Sequence, residues 1–490
     1  MKIQNHIYTP TPNNIKISLL NKTTLSNNYF LSNNVTSLPI NFKAILFQGG
    51  LNISEKKEIE NLIENYKENN NKIKLLGNGS FGRVYKIKLQ NKGYVAVKIL
   101  REDKEKLLSG GGNLKNEADI LKRIPHYCTR SQQLIDYFET SKRSYLVSSF
   151  VKGEMLSKQK DLSQELLDNI TDELFKYDKY GLMFYDPNPN NIFVENNQAG
   201  FIDFEFMEKK NPNLKNFQAF NDYHHISRNL YFPQKTNINA FENRTLGTYI
   251  HNVEKNKGKK QALLLTEKYL KSLSKYHFKM ATYLENRNRN VFSDITNKAI
   301  DYEKTLSEIY KNPSKRILEI EKNLIDIRYT TLNYHLYIQR KKENKLLEDD
   351  IKNYGDFDNY INKINNKTQN ILKMIDNLSY ENKDKNIQNY CKINKLYVQN
   401  FLMKYANKNY YEFRMNKDIN KNLENISKYI IGNYKNFESA KALKAEIKNF
   451  NIEYKNIKSK NKKNKDVQAF CDAIRTTLFN TLNFIIKEQV

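Results

Sequence analysis

Three groups of residues in this chain have types and spacings suited to chemistry. The first is Gly77-Asn78-Gly79-Ser80-Phe81-Gly82, followed by Val84 and then by Val95-Ala96-Val97-Lys98. A glycine-rich strand–turn–strand with a lysine on the next strand can cradle the phosphates of a nucleotide, because glycines lack a Cβ and let backbone N–H groups approach an anion. Taken alone, a G-x-G-x-x-G also marks ordinary turns. The second group is Asp186-Pro187-Asn188-Pro189-Asn190-Asn191, an aspartate five residues before an asparagine in a loop stiffened by two prolines. The third, Gly200-Phe201-Ile202-Asp203-Phe204-Glu205, brings a second aspartate after an apolar strand and a turn. Their order and spacing are those that phosphoryl transfer from ATP requires.

Elements must position these groups. Alternating apolar residues over Ile73–Leu100 predict strand, turn and strand, with the reversal at Gln90–Gly93. Ser54–Tyr66 predicts a helix that Ser54 caps and that shows an apolar stripe of Ile59, Leu62 and Ile63. A break at Ser109–Asn113 precedes a helix over Leu114–Ile124, which Pro125 ends. Leu134–Phe138 and Ser144–Val151 read as two further strands, and helices dominate from Leu162 onward. Arg316–Lys345 is an amphipathic helix marked by Ile317, Ile320, Leu324, Ile327 and Leu332. The tract Lys455–Lys465 reads as a solvated loop, and Val467–Ile486 as a closing, docking helix.

The strands around the glycine loop resemble the small lobe of a protein-kinase fold. The resemblance is clear over residues 71–210 and looser to about residue 300. It implies an α+β, bilobal fold and an ATP-dependent phosphotransferase using Mg2+, with serine/threonine hydroxyls of protein as acceptors. Residue by residue, it implies that Gly77, Asn78, Gly79, Ser80, Phe81 and Gly82 cover the phosphates. Val84 and Ala96 then face the adenine, whose edge meets the backbone near Ser149 and Val151. Lys98 holds the phosphates and pairs with Glu117 on the following helix. Asp186 orients the acceptor hydroxyl and takes its proton, while Asn191 and Asp203 supply the hard oxygen ligands that Mg2+ prefers.

The pattern departs from the protein kinases at several points. Phe184-Tyr185 stands where many carry His-Arg, which argues against control by activation-loop phosphorylation. Asn188 stands where Ser/Thr kinases carry lysine, Glu205 where they carry glycine, and no Ala-Pro-Glu follows. Aminoglycoside and choline phosphotransferases, UbiB-like kinases and some bacterial effector kinases share such departures. A small-molecule kinase and a nucleotide-binding scaffold without catalysis therefore stand as alternatives.

The remainder of the chain is less specific. Its 490 residues suggest two or three domains. The division expected is a disordered or leader segment over 1–50, a small lobe with a preceding helix over 51–150, a large lobe over 151–300 and a basic helical extension over 301–490. Residues 1–50 carry no acidic residue, as do leaders of effectors secreted into host cells; the alternative location is the cytoplasm. The net charge of +27 suits an anionic partner or a host protein bound through the extension, and equally suits solvated helix faces. Nucleic acid is not the expected partner: Lys404–Arg414 reads as a solvated amphipathic helix. His224 and His225 are adjacent and diverge on a helix, so they do not read as a metal pair. Cys128, Cys391 and Cys471 are odd in number and far apart, which fits a reducing compartment rather than a disulfide framework. No apolar run reaches the roughly 20 residues that span a bilayer.

Overall fold

The computed structural model describes residues 50–68, 71–78, 82–100, 114–124, 130–179, 182–184, 186–204, 208–209, 237–287, 293–342, 357–405 and 440–462, with positions 423, 426, 427, 430, 468, 471, 472, 475, 478, 479 and 482. The leader call, Gly79, Ser80, Phe81, Tyr185, Glu205, Cys128, the histidine pair and most of the Lys404–Arg414 tract lie outside the described residues.

Period-2 alternation builds the first layer. Strands β1 (Ile73–Asn78), β2 (Gly82–Leu89), β3 (Gly93–Leu100), β4 (Leu134–Glu139) and β5 (Ser144–Ser149) form an antiparallel sheet ordered β1-β2-β3-β5-β4. One face of β2 and β3 presents Tyr85, Ile87, Leu89, Val95, Val97 and Ile99, all buried. Helix α1 (Ile53–Glu64) covers that face with Ile59, Leu62 and Ile63. The other face carries Val84, Ala96 and Lys98, which are half-buried. The helix start differs from the expectation by one turn's chemistry. Asn52, not Ser54, is the cap, and it exchanges two 2.9 Å bonds with Glu55 in a capping box. Ser54 instead donates to the Asn52 side chain.

Helix α2 (Leu114–Leu121) lies against β4 and β5 and belongs to a second core, which also takes in helix α3 (Gln164–Lys179). Short strands β6 (Glu154–Met155), β8 (Ile192–Glu195) and β9 (Gln198–Phe201) make a three-stranded sheet. Strands β7 (Leu182–Met183) and β10 (Glu208–Lys209) pair separately. A helix α4 then runs through Asn237–Phe241, widens to π-helical turns over Glu242–Leu246, and continues over Gly247–Lys257.

Beyond it come α5 (Lys259–Arg287), α6 (Ser293–Lys311), α7 (Lys315–Lys342), α8 (Phe357–Glu381), α9 (Lys385–Tyr405) and α10 (Ala440–Lys460). Helix α5 packs against α3, α4, α6 and α7, and α7 in turn against α8. Ile317, Ile320, Leu324 and Ile327 of the predicted stripe are buried. Described residues from Leu114 to Leu482 contribute to one apolar cluster, and α6 spans the position expected as a domain boundary. The tract expected as a loop is helical as far as Lys460, because Phe450 and Ile457 seat α10 in the core. Among the described residues no helix is long and apolar enough to cross a membrane.

Candidate active site

Between the five-stranded sheet and the helices, Lys98, Glu117 and Asp203 come together, and Asp186 and Asn191 share a loop that is tied to Ile202 beside Asp203. Lys98 projects from β3 on the face opposite α1. Its Nζ lies 2.9 Å from Glu117 Oε2 on α2 and 2.9 Å from Asp203 Oδ1. The Glu117 side chain is 1% exposed and that of Lys98 12%, whereas Asp203 is 37% exposed. The ammonium is thus fixed from the buried side by one carboxylate and shared with a second that faces the cleft. A buried pair of this kind is costly to break, since the remaining charge is left without a partner in a poorly polarisable site.

Asp203 stands just after β9 with φ +65°. That left-handed backbone costs a non-glycine residue roughly 1–2 kcal/mol. It is held by a 3.0 Å bond from Asp203 N to Gln132 Oε1. The Gln132 side chain also donates to Ser148 Oγ at 3.1 Å, and its backbone N–H to the Phe201 carbonyl. Neighbouring Ser131 accepts from Phe201 N and Tyr177 OH and donates to Glu173. Sequence reasoning missed this Ser131–Gln132 brace, because two polar residues before a strand carry no periodic signal. Gly200 permits it: a Cβ there would sit 2.2 Å from the Arg130 carbonyl oxygen.

Asp186 begins a loop that its own asparagines shape. Asn188 Nδ2 donates to Asp186 Oδ2 at 2.9 Å, and Asn191 Nδ2 to the Asp186 carbonyl at 3.1 Å. The loop is carried by α4. Asn237 accepts from Phe184 N at 2.6 Å and donates to the Leu182 carbonyl at 2.9 Å, and Thr245 Oγ1 donates to the Pro187 carbonyl at 2.6 Å. Arg244 Nε lies 3.4 Å from Asp186 Oδ1. None of these three α4 residues was singled out in the sequence. Behind the two aspartates, Phe184 and Phe204 pack with ring centroids 5.1 Å apart, and Phe201 and Tyr177 complete the aromatic cluster. Phe184, which departs from the kinase pattern, is thereby a buried anchor of the loop.

The nucleotide side is partly defined. Val84 pairs with Lys98, and Ala96 with Ser148, across the sheet. The Ser149 N–H donates to the Gln133 carbonyl at 2.8 Å, and its hydroxyl accepts from Gln133 N. Gly77, the penultimate residue of β1, pairs with Val84 and has open space around its α-carbon, and Asn78 pairs with Arg83. Gly82 has a nearer constraint than any ligand: a Cβ would lie 2.3 Å from the Ile99 carbonyl oxygen.

The Asn191 amide nitrogen is turned to the Asp186 carbonyl, and its own backbone carbonyl accepts from Ile202 N, next to Asp203. Among the described residues no group of three or more His, Cys, Asp or Glu is arranged to hold a metal alone. Two oxygen ligands with phosphate completing the shell is a mode that suits Mg2+.

Residues 70–226 match the family model of the protein kinase domain. The chain is 30% identical over 132 residues to the serine/threonine-protein kinase AtPK2/AtPK19 of Arabidopsis thaliana, covering 25% of this chain and 28% of that protein. It is 38% identical over 84 residues to CBL-interacting serine/threonine-protein kinase 13 of the same plant, 16% of each chain. Against serine/threonine-protein kinase TIO, also from Arabidopsis thaliana, identity is 31% over 130 residues, 25% of this chain and 10% of that protein. The chain thus spans only 10% to 28% of the length of these curated relatives. With the five-stranded sheet, the helix-borne glutamate and the two aspartate loops already in place, the match identifies residues 70–226 as a kinase domain of the protein-kinase-like superfamily.

Proposed function

We propose that this chain is an ATP- and Mg2+-dependent protein kinase that phosphorylates serine or threonine hydroxyls. The observation that carries the reading is Lys98 held at 2.9 Å from both Glu117 and Asp203. That arrangement keeps a point charge at the mouth of the cleft, where the phosphates of a nucleotide under the β1–β2 turn would lie. Asp186, one quarter exposed at the loop, receives the acceptor's hydroxyl proton. The hydroxyl oxygen forms its bond to the γ-phosphorus, the bond from that phosphorus to the bridging oxygen breaks, and ADP leaves with the electron pair. Asn191 and Asp203 would hold Mg2+, which when bound neutralises phosphate charge. The chain's own contribution is positioning: the Asn237 and Thr245 bonds fix the loop, and the Gln132 bond fixes Asp203.

The serine/threonine specificity of the relatives supports the choice of acceptor, and it is the part of the reading most open to test. The purified chain is incubated with Mg2+ and γ-labelled ATP, once with a generic basic protein and once with hydroxylated small molecules, and labelled protein is hydrolysed to identify the phosphoamino acid. Phosphoserine or phosphothreonine is the expected product. Label on a small molecule alone would assign a metabolite kinase, and label on neither, with ATP bound, a nucleotide-gated scaffold.

A further inference from the structure

The loop from Asp186 to Asn191 contains one carboxylate, two prolines and three asparagines, and no cation. Lys98 is committed to Glu117 and Asp203 on the nucleotide side. A phosphoryl group moving toward an acceptor at Asp186 would carry its charge into a place where the loop itself supplies only an aspartate. Among the described residues, a cation reaches Asp186 from a distant part of the chain. Arg244, in the π-helical turns of α4, sets its Nε 3.4 Å from Asp186 Oδ1.

Three observations make this more than a surface pair. The backbone beneath Arg244 is fixed: Glu242, Asn243, Thr245 and Leu246 are buried, and Thr245 bonds the Pro187 carbonyl. Gly247, one residue past the π-helical turns, would place a Cβ 2.7 Å from Tyr329, so α4 is pressed tightly on α7 at that point. The Arg244 side chain itself remains one-third exposed, on the cleft side. Among the described residues Asp186 is its ion-pair partner, with Nε 3.4 Å from Oδ1. A guanidinium has five donors in a planar fork that matches a phosphate, so donors remain for a second anion. π-Helical turns inside an α-helix recur where a side chain is re-aimed at a functional site.

We propose that Arg244 is a catalytic residue of the phosphotransferase reading given above, on which this inference rests: its guanidinium binds the transferring phosphoryl group while its Nε keeps hold of Asp186. The balance of the reaction is unchanged. The acceptor proton goes to Asp186, the new O–P bond forms, the bridging P–O bond breaks with ADP leaving, and the guanidinium gains and loses no proton. Its part is to offset the charge on the transferring group between the two carboxylates.

The test compares wild type with Arg244→Ala, Arg244→Gln and Arg244→Lys, each in the full chain. Melting and binding of Mg2+-ADP come first, then binding of Mg2+-ADP with aluminium fluoride, which stands in for the transferring group, and then turnover. The expected result is unchanged melting and ADP binding, fluoride-complex binding weakened at least about tenfold, and kcat lower by about 10²–10³ for Ala and Gln, with KM for ATP little changed. Lysine should recover part of the loss, and added guanidinium ion should restore turnover to the alanine variant. A kcat within a few-fold of wild type, or a loss shared equally by ADP binding and melting without rescue, overturns the role. A wild-type chain that binds ADP but transfers no phosphate overturns the kinase reading itself, and the role with it.

Discussion

At the residue scale, the cleft is a set of carboxylates each given a different neighbour. Glu117 is buried and pairs with Lys98; Asp203 shares that lysine from a left-handed backbone; Asp186 lies between Asn188 and Arg244. Lys98, Glu117, Asp186, Asn191 and Asp203 could be named from the sequence because they stand in motifs that resemble those of protein kinases, and the structure brings Lys98, Glu117 and Asp203 together. Asn237, Arg244, Thr245 and Gln132 could not be so named. Each is an ordinary polar residue in its own segment and acquires a task only where the fold brings two segments together. Asn237 exposes that dependence. Asn237→Ala leaves Phe184 N–H and the Leu182 carbonyl without their partner, at a cost of about 1–3 kcal/mol for each orphaned group. We expect a lower melting temperature together with a fall in kcat, while Mg2+-ADP binding at the other side of the cleft stays close to wild type. Equal melting temperatures would contradict the assignment of α4 as the loop's support.

At the element scale, close backbone approaches decide more than propensity does. Gly200 in β9 lies where a methyl group would collide with the Arg130 carbonyl and with Val151. Gly200→Ala should therefore destabilise by about 1–3 kcal/mol or more and displace Asp203, so that ATP-dependent transfer falls further than stability alone explains. Sequence reading recognised Gly77, Gly79 and Gly82 by their phosphate-loop pattern, but the demand at Gly82 comes from the β3 backbone. Between α3 and α5 the contact is ionic at its edge. Burial pushes the Asp168 carboxyl up, but hydrogen bonds from Lys275, Ser272 and Gln164 outweigh it and hold it below its ordinary value of 3.8. A lowered carboxylate contributes stability above its unfolded pKa and loses it as the pH falls through the folded one. The melting temperatures of wild type and Asp168→Asn should differ near neutral pH and converge as the pH drops below 3.8. A gap that widens on acidification would contradict this.

At the scale of the whole molecule, the helices beyond α4 pack into the same apolar cluster as α2 and α3. Glu242, beside Arg244, pairs with Arg328 of α7 at 2.7 Å, and accepts from Tyr269 of α5 at 3.0 Å. Tyr310 of α6 and Tyr390 of α9 both donate to Glu321 of α7. Burial pushes these three phenols well above their ordinary value, so they remain donors at any physiological pH. These helices pack as a bundle rather than as an extended array. The bundle follows from buried tyrosines that satisfy carboxylates, a pattern that counting apolar residues does not register. Two consequences follow from this packing. A chain ending at residue 300 removes Ile320, Ile325 and the Arg328 partner of Glu242, and should be insoluble or melt well below the full chain. Burial also pushes the Cys391 and Cys471 thiols up to about 11, so alkylating reagents should reach them only in denaturant. Ready alkylation in the folded protein would contradict the burial of α9 and of the helical turn around Cys471.

The central claim is that the Lys98–Asp203 and Asp186 loops together transfer phosphate. Its most direct measurement is γ-phosphate transfer from Mg2+-ATP by wild type and by Asp186→Ala, with ADP binding measured on the same preparations. The account predicts equal binding, and transfer lower by about 10²–10⁴ in the variant. Transfer by Asp186→Ala at the wild-type rate would contradict it.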